Sequence, residues 1–131
     1  MHTRAPMRPK IDRVLERARR RVARVTAEEA AAEMSRGALL VDTRSQAQRA
    51  AQGEIPGALT IERNVLEWRL DPTSPFRVPQ ATDRDVRVMV LCAQGYSSTL
   101  AALSLKELGL RNVSDVVGGF EAWRAAGLPI G

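Results

Sequence analysis

The run Val88-Met89-Val90-Leu91 constrains this chain more than any other feature: four consecutive apolar residues that deliver Cys92 at their end. So short a run, rich in valine and bounded by polar positions, fits a strand over 86–91 buried on both faces. A Gly-containing loop follows it. Ser97 to Leu108 then places Ala101, Leu105 and Leu108 on one side of a helix, with Gly109 at the stop.

The same alternation recurs along the chain. Thr26 followed by Glu29 makes a capping box that opens a helix over 27–36, with Ala27, Ala30, Ala31 and Met34 on one face and Gly37 closing it. Leu39 to Val41 forms a short strand ending at Asp42. A helix is expected from Ser45 to Gln52, a turn at Gly53 and Pro56-Gly57, a weak strand at Ala58 to Ile61, and one or two helical turns at Asn64 to Leu70. The three prolines between Asp71 and Asp85 mark an ordered surface loop. Val113 to Val117 supplies another strand, Gly118-Gly119 a tight turn, and Phe120 to Ala126 a last helix ended by Gly127 and Pro129. Strands alternating with helices predict an α/β domain: a central parallel sheet of four to five strands with helices on both faces. Ligands of such sheets sit beyond the carboxyl ends of the strands.

A chain of 131 residues with 44% apolar and 27% charged residues makes one domain with its own core, not a two-domain enzyme. Its single cysteine cannot form an internal disulfide, and its single histidine is His2. A Cys/His zinc site and an intramolecular Cys/His dyad therefore lack their parts, and neither a metal nor an organic cofactor is expected. With no long apolar segment and no signal-peptide pattern, the expectation is a cytoplasmic protein without a transmembrane segment.

Charge divides the chain at about residue 25. Residues 1–25 hold nine basic residues (Arg4, Arg8, Lys10, Arg13, Arg17, Arg19, Arg20, Arg21, Arg24) against Asp12 and Glu16, a net of +7, whereas 26–131 carries a net of −2. A basic N-terminal extension, 1–25, thus precedes the domain at 26–131. After Pro6 and Pro9, the spacing of Ile11, Val14, Leu15, Ala18 and Val22 predicts an amphipathic helix from about residue 10 to about Val25. It has two readings: an arm for nucleic acid or an anionic membrane, or a helix docked by its apolar stripe on the domain or on a second copy. The docked helix is preferred; nucleic acid is not the expected partner.

The chemistry sits in Cys92-Ala93-Gln94-Gly95-Tyr96-Ser97-Ser98. A loop that curls back over a strand end can converge its N–H groups on an anion, with the following helix's positive dipole end beneath. A thiol there is held as thiolate and becomes nucleophilic near neutral pH without a histidine. Gly95 gives the backbone freedom for the curl, and Ser97 or Ser98 can cap the helix and turn a hydroxyl into the cradle. A lone cysteine at a strand end is more often a small core residue. The glycine, the paired serines and the strong strand together favour the reactive reading.

These residues bring the chain close to a known family. From about Thr26 to Pro129 it resembles the rhodanese-like sulfurtransferases in their single-domain form. Three segments carry the likeness: Val41-Asp42-Thr43-Arg44 with Gly53-Glu54-Ile55-Pro56-Gly57-Ala58, the Cys92 loop, and Gly118-Gly119-Phe120-Glu121-Ala122-Trp123. The resemblance implies a rhodanese-like fold and sulfane-sulfur transfer: Cys92 becomes a persulfide and passes the sulfur to a thiol or cyanide, with the amides of Ala93, Gln94, Gly95, Tyr96, Ser97 and Ser98 binding the substrate. The donor it implies is a small one, thiosulfate or a persulfide. It further implies that the six-residue loop Cys92–Ser97 is the sulfur-transferring length, where phosphatase relatives use seven and end on an arginine. Here Ser97 stands where many thiosulfate-using members carry arginine, so thiosulfate activity is expected to be weak. The usual Gly-His-Ile is Gly53-Glu54-Ile55, and Gln48-Arg49 replaces an acidic-aromatic pair.

Four further expectations concern supporting residues. Asp42 and Arg44, on the same carboxyl edge as Cys92, either tune the cysteine or form a structural ion pair, the latter preferred. Arg63 either supplies the missing positive charge or is a solvated arginine. Phe120 and Trp123 are core rather than pocket rim. Tyr96 at the loop tip either screens the pocket or meets an acceptor. The alternative to an enzyme is a catalytically quiet scaffold that binds a protein partner or self-associates through the N-terminal helix.

Overall fold

The structure is a computed structural model and describes residues 7–131; His2, Arg4 and Pro6 lie outside the described residues. Five strands form one sheet: β1 Ala23–Val25, β2 Leu39–Asp42, β3 Leu59–Thr60, β4 Val88–Leu91 and β5 Val113–Val116, in the order β1-β5-β4-β2-β3. Every pairing is parallel. Val88–Leu91 occupies the centre, and all four of its side chains are buried, as a run without polar alternation requires.

Among the described residues six helices cover the sheet: α1 Lys10–Arg21, α2 Ala27–Met34, α3 Gln46–Gln52, α4 Leu66–Leu70, α5 Ser97–Glu107 and α6 Gly119–Ala125. On one face Leu66, Leu70, Ala101, Ala102 and Leu105 of α4 and α5 pack on Val41, Val88 and Val90. On the other, Ala27 and Ala30 of α2 with Phe120 and Trp123 of α6 pack on Leu40, Met89, Leu91 and Val116. Capping boxes at Thr26 and Ser45 satisfy the first amides of α2 and α3. A single 3-10 turn, Arg63–Val65, leads into α4, and the proline-rich segment after it is pinned by buried Val78 and Ala81.

The N-terminal residues depart from expectation in one respect. The helix stops at Arg21, and Ala23–Val25 is an edge strand paired with Ser114–Val116. Val22 takes an extended conformation (φ −118°, ψ 127°), as suits its β-branched side chain. Leu15, Ala18 and Val22 are buried, and α1 packs along α5; Ile11 and Val14 stay exposed, so the docked stripe is narrower than the spacing suggests. Leu108 also departs: it is the C-cap of α5 and 39% exposed, and Leu110 is buried in the core instead.

The chain leaves β2 toward one sheet edge, through α3 to β3, and leaves β4 toward the other, through α5 to β5. The loops after β2 and β4 diverge although their strands are neighbours, which opens a crevice at their carboxyl ends. Cys92 is the first residue of one of those loops.

Candidate active site

The Cys92 sulfur faces the crevice and not the core. Its Sγ accepts from the Gly95 amide at 3.1 Å and the Ser98 amide at 3.4 Å. The second amide belongs to the first turn of α5, so the positive end of an eleven-residue helix dipole lies under the sulfur. Burial works hardest against the thiolate. Hydrogen bonding from Ser98 and Ser97 at the start of α5 and from the loop amides outweighs it, and the thiol pKa falls below its ordinary value. The amides of Ala93, Gln94, Tyr96 and Ser97 find no hydrogen-bond acceptor among the described residues, which leaves four more donors on the loop.

The curl depends on two glycines that meet each other. Gly95 has φ +84°, and a Cβ there would sit 2.6 Å from the Gly118 nitrogen. Gly119 has φ +56°, and a Cβ there would sit 2.3 Å from the Cys92 carbonyl oxygen. The closeness has a purpose. Phe120 donates its amide to the Cys92 carbonyl at 2.8 Å and Glu121 donates to that of Ala93 at 3.1 Å, so the start of α6 clips the start of the loop. With those carbonyls turned away, the amides further along the loop point the other way, at the sulfur.

A cleft of about 190 Å³ opens over Cys92, walled by Thr43, Arg44 and Gln48 on one side and Ala93, Gln94, Tyr96 and Ser97 on the other. Gly95 and Ser98 lie behind the sulfur. Ser97 and Gln94 are exposed, and Gln94 donates to Glu121 at 3.1 Å. Tyr96 is 58% exposed at the mouth. Neither serine caps α5, contrary to expectation: Tyr96 holds the cap position without a side-chain bond, and the Ser98 hydroxyl donates to Asp115 at 3.2 Å.

Asp42 and Arg44 form a fully buried pair, with Nη2 to Oδ2 at 2.8 Å and Nε reaching both carboxylate oxygens at 3.1 Å. Arg44 also donates to Gln52 and to the Gly53 carbonyl, and stacks at 3.8 Å on the Phe120 ring. Those contacts tie α3, the turn after it and α6 into one wall, which is the structural ion pair expected. The unusual neighbours answer one another: Arg49 pairs with Glu54 at 3.1 Å and donates to the Arg44 carbonyl, and Gln48 closes the capping box of α3 while lining the cleft. Arg63 is absent from the cleft lining. It pairs with Glu67 at 3.0 Å and borders a neighbouring depression. Phe120 and Trp123 are core.

Sequence reading missed the support beneath the loop. Asp115, fully buried on β5, accepts from Arg24 at 3.0 Å, Ser98 at 3.2 Å and Thr99 at 2.8 Å. Arg24 and Arg19 both donate to the Gly95 carbonyl, at 3.2 and 3.0 Å. A carboxylate inside the apolar run 113–117 was the available signal, because a buried charge needs partners.

The sequence pattern of the rhodanese-like domain matches residues 26–126. This chain belongs to that family. Among its relatives is the thiosulfate sulfurtransferase GlpE of Haemophilus influenzae, 34% identical over 106 residues that cover 81% of this chain and 91% of the relative. Another, of the same name from Pseudomonas fluorescens, is 36% identical over 102 residues, covering 77% and 84%. Among solved structures, a Rhodopseudomonas palustris protein described as of unknown function, possibly a tyrosine phosphatase, superposes with a TM-score of 0.84 at 32% identity, covering 99% of this chain and 100% of its own. As a rhodanese-like chain with sulfurtransferase relatives, this protein carries its one cysteine where the fold gathers amides. The match begins at Thr26, so α1 and β1 lie outside the matched segment.

Proposed function

We propose that this rhodanese-like chain is a sulfurtransferase or persulfide carrier whose nucleophile is Cys92. The observation that carries the reading is the Cys92 sulfur on the cleft floor, held by the Gly95 and Ser98 amides with its pKa lowered. The thiolate attacks the outer sulfur of the donor; the new S–S bond forms as the donor's own S–S bond breaks, releasing sulfite from thiosulfate or a thiolate from a persulfide. The outer sulfur now on Cys92 is attacked by cyanide or a thiolate. That second displacement breaks the S–S bond to Cys92, returns its thiolate and releases thiocyanate or a new persulfide. No net redox change occurs, and no metal or cofactor is needed. The amides of Ala93, Gln94, Tyr96 and Ser97 are the donors for the persulfide's negative charge.

Cleft charge sets the donor class. Among the described residues, Arg44 brings the one guanidinium that lines it, already matched by Asp42, and Ser97 brings a hydroxyl and no charge. A thiosulfate dianion therefore meets no free cation among those lining residues, and a low-molecular-weight persulfide is the better donor. The same lack weighs against phosphate monoesters, which need a bidentate arginine at this position.

Incubation with a low-molecular-weight persulfide followed by intact-mass measurement tests the reading. Wild type should gain about 32 Da, one sulfur atom, and lose it to cyanide, while Cys92→Ser gains nothing. Equal masses for the two proteins would refute the proposal and leave the quiet scaffold standing.

A further inference from the structure

We infer that Arg19, on a helix that precedes the matched rhodanese-like segment, is a positioning residue for the Cys92 loop, supplying from beneath the positive charge that Ser97 does not. The inference rests on the proposed role of Cys92 as nucleophile.

Three observations converge on Arg19. Its Nη2 donates to the Gly95 carbonyl at 3.0 Å, across seventy-six positions of sequence. Its guanidinium lies 5.7 Å from the centre of the Tyr96 ring. Among the described residues it has no carboxylate partner, and its buried Nε has no hydrogen-bond partner at all. An uncompensated guanidinium tucked into a partly buried position costs desolvation free energy. The contacts that Arg19 makes there, with the Gly95 carbonyl and the Tyr96 ring, are both with the loop.

Its effect passes through one peptide. In a trans peptide the C=O and the following N–H point in opposite directions. Fixing the Gly95 carbonyl toward α1 fixes the Tyr96 N–H toward the cleft, where it finds no other acceptor. A cation on that carbonyl also polarises the peptide and strengthens the N–H as a donor. Arg24 adds a second bond to the same carbonyl at 3.2 Å, but its charge is matched by Asp115. Arg19 is the cation left over. Among the described residues, the other charged side chains bonded to the loop or its walls are Arg24 with Asp115 beneath it, Arg44 with Asp42 on the opposite wall and Glu121 of α6 against Gln94, and each of those two guanidiniums is matched by a carboxylate.

The test is the pH dependence of Cys92 alkylation by iodoacetamide in the full chain, wild type against Arg19→Ala, Arg19→Lys and the exposed neighbour Arg20→Ala. Arg19→Ala should alkylate about three- to tenfold more slowly at pH 6.5 and reach the wild-type rate at high pH, the signature of a raised thiol pKa. Arg19→Lys, which keeps the charge but not the fork, should fall between. Arg20→Ala should match wild type. If Arg19→Ala fails to fold, Arg19→Gln decides in its place, since it keeps a hydrogen-bond donor of similar length but no charge: a wild-type alkylation profile in Arg19→Gln overturns the inference, and a profile displaced to higher pH upholds it. Coincident wild-type and Arg19→Ala profiles, or an equal slowing in Arg20→Ala, would overturn the inference while leaving the nucleophile in place. A wild-type profile at the ordinary thiol value would instead strike down the nucleophile, and this inference with it.

Discussion

Replacing Gly119 by alanine separates backbone strain from steric overlap at the site, because Gly127 provides the matching control. Both glycines have left-handed φ, +56° and +71°, so an alanine at either costs about 1–2 kcal/mol from conformation alone. They differ in space. A Cβ on Gly127 meets nothing within 4 Å, whereas one on Gly119 lands 2.3 Å from the Cys92 carbonyl oxygen and 2.8 Å from the Gly95 nitrogen. Both are backbone atoms that cannot rotate aside. Relief needs a shift of roughly 1 Å between α6 and the loop, which carries the 2.8 Å bond from the Phe120 amide, and the 3.1 Å bond from that of Glu121, out of hydrogen-bonding range. At about 1 kcal/mol for each of the two lost bonds, Gly119→Ala should cost about 3–4 kcal/mol in total against about 1–2 for Gly127→Ala. Urea unfolding measures both. Below its own transition Gly119→Ala should also alkylate slowly at Cys92, because the carbonyls that turned the loop amides inward have been released, and Gly127→Ala should not. Equal unfolding costs for the two variants would show that the contact between α6 and the loop does not hold the cradle.

Two further outcomes follow from the charges. Arg44→Met leaves Asp42 buried without its partner and should cost about 3–5 kcal/mol in urea unfolding, while adding Asp42→Asn should recover much of the loss; strictly additive single and double variants would refute the coupling. Because the folded Cys92 pKa lies below the unfolded value, the unfolded chain holds more protons between the two, and thiolate stabilisation is fully present above the unfolded pKa and lost as pH falls through the folded one. The stability of wild type relative to Cys92→Ala should therefore rise with pH across that window, and a flat or falling difference in pH-resolved urea titrations would contradict the lowered pKa.

What could be read from the sequence was local. Thr26 with Glu29, and the strand run ending at Cys92, need only their neighbours to specify a helix start and a central strand, and both stand in the structure as read. Cys92, Ala93, Gln94, Tyr96 and Ser97 of the cleft lining likewise lie in one short stretch of sequence, whereas Thr43, Arg44 and Gln48 of the facing wall are brought there by the fold. The residues that escaped notice act across long separations. Ala23 to Val25 is a strand because β5 lies beside it, and a run of arginines hid that pattern within a helical one. Asp115 is explained only by Arg24, ninety-one positions away, together with Ser98 and Thr99. Leu108 kept the helical spacing but stands after the last residue of α5, where the helical period no longer sets which way a side chain faces.

The boundary drawn by charge near residue 25 and the boundary drawn by packing are different objects. Charge sets the first twenty-five residues apart as strongly basic, yet Val22 joins one core cluster and Val25 the other, and β1 completes the sheet. Two of the basic residues, Arg19 and Arg24, turn inward to the Cys92 loop, while Arg13, Arg17 and Arg20 face solvent. Cutting the chain before Thr26 would thus remove more than a charged arm. It would leave β5 as an unpaired edge and Asp115 buried without its guanidinium, so self-association after such a cut would report on the exposed edge as much as on the helix. Charge reversal at Arg13, Arg17 and Arg20 leaves both the edge and the loop contacts intact, and any binding lost there belongs to the outer face of α1 alone.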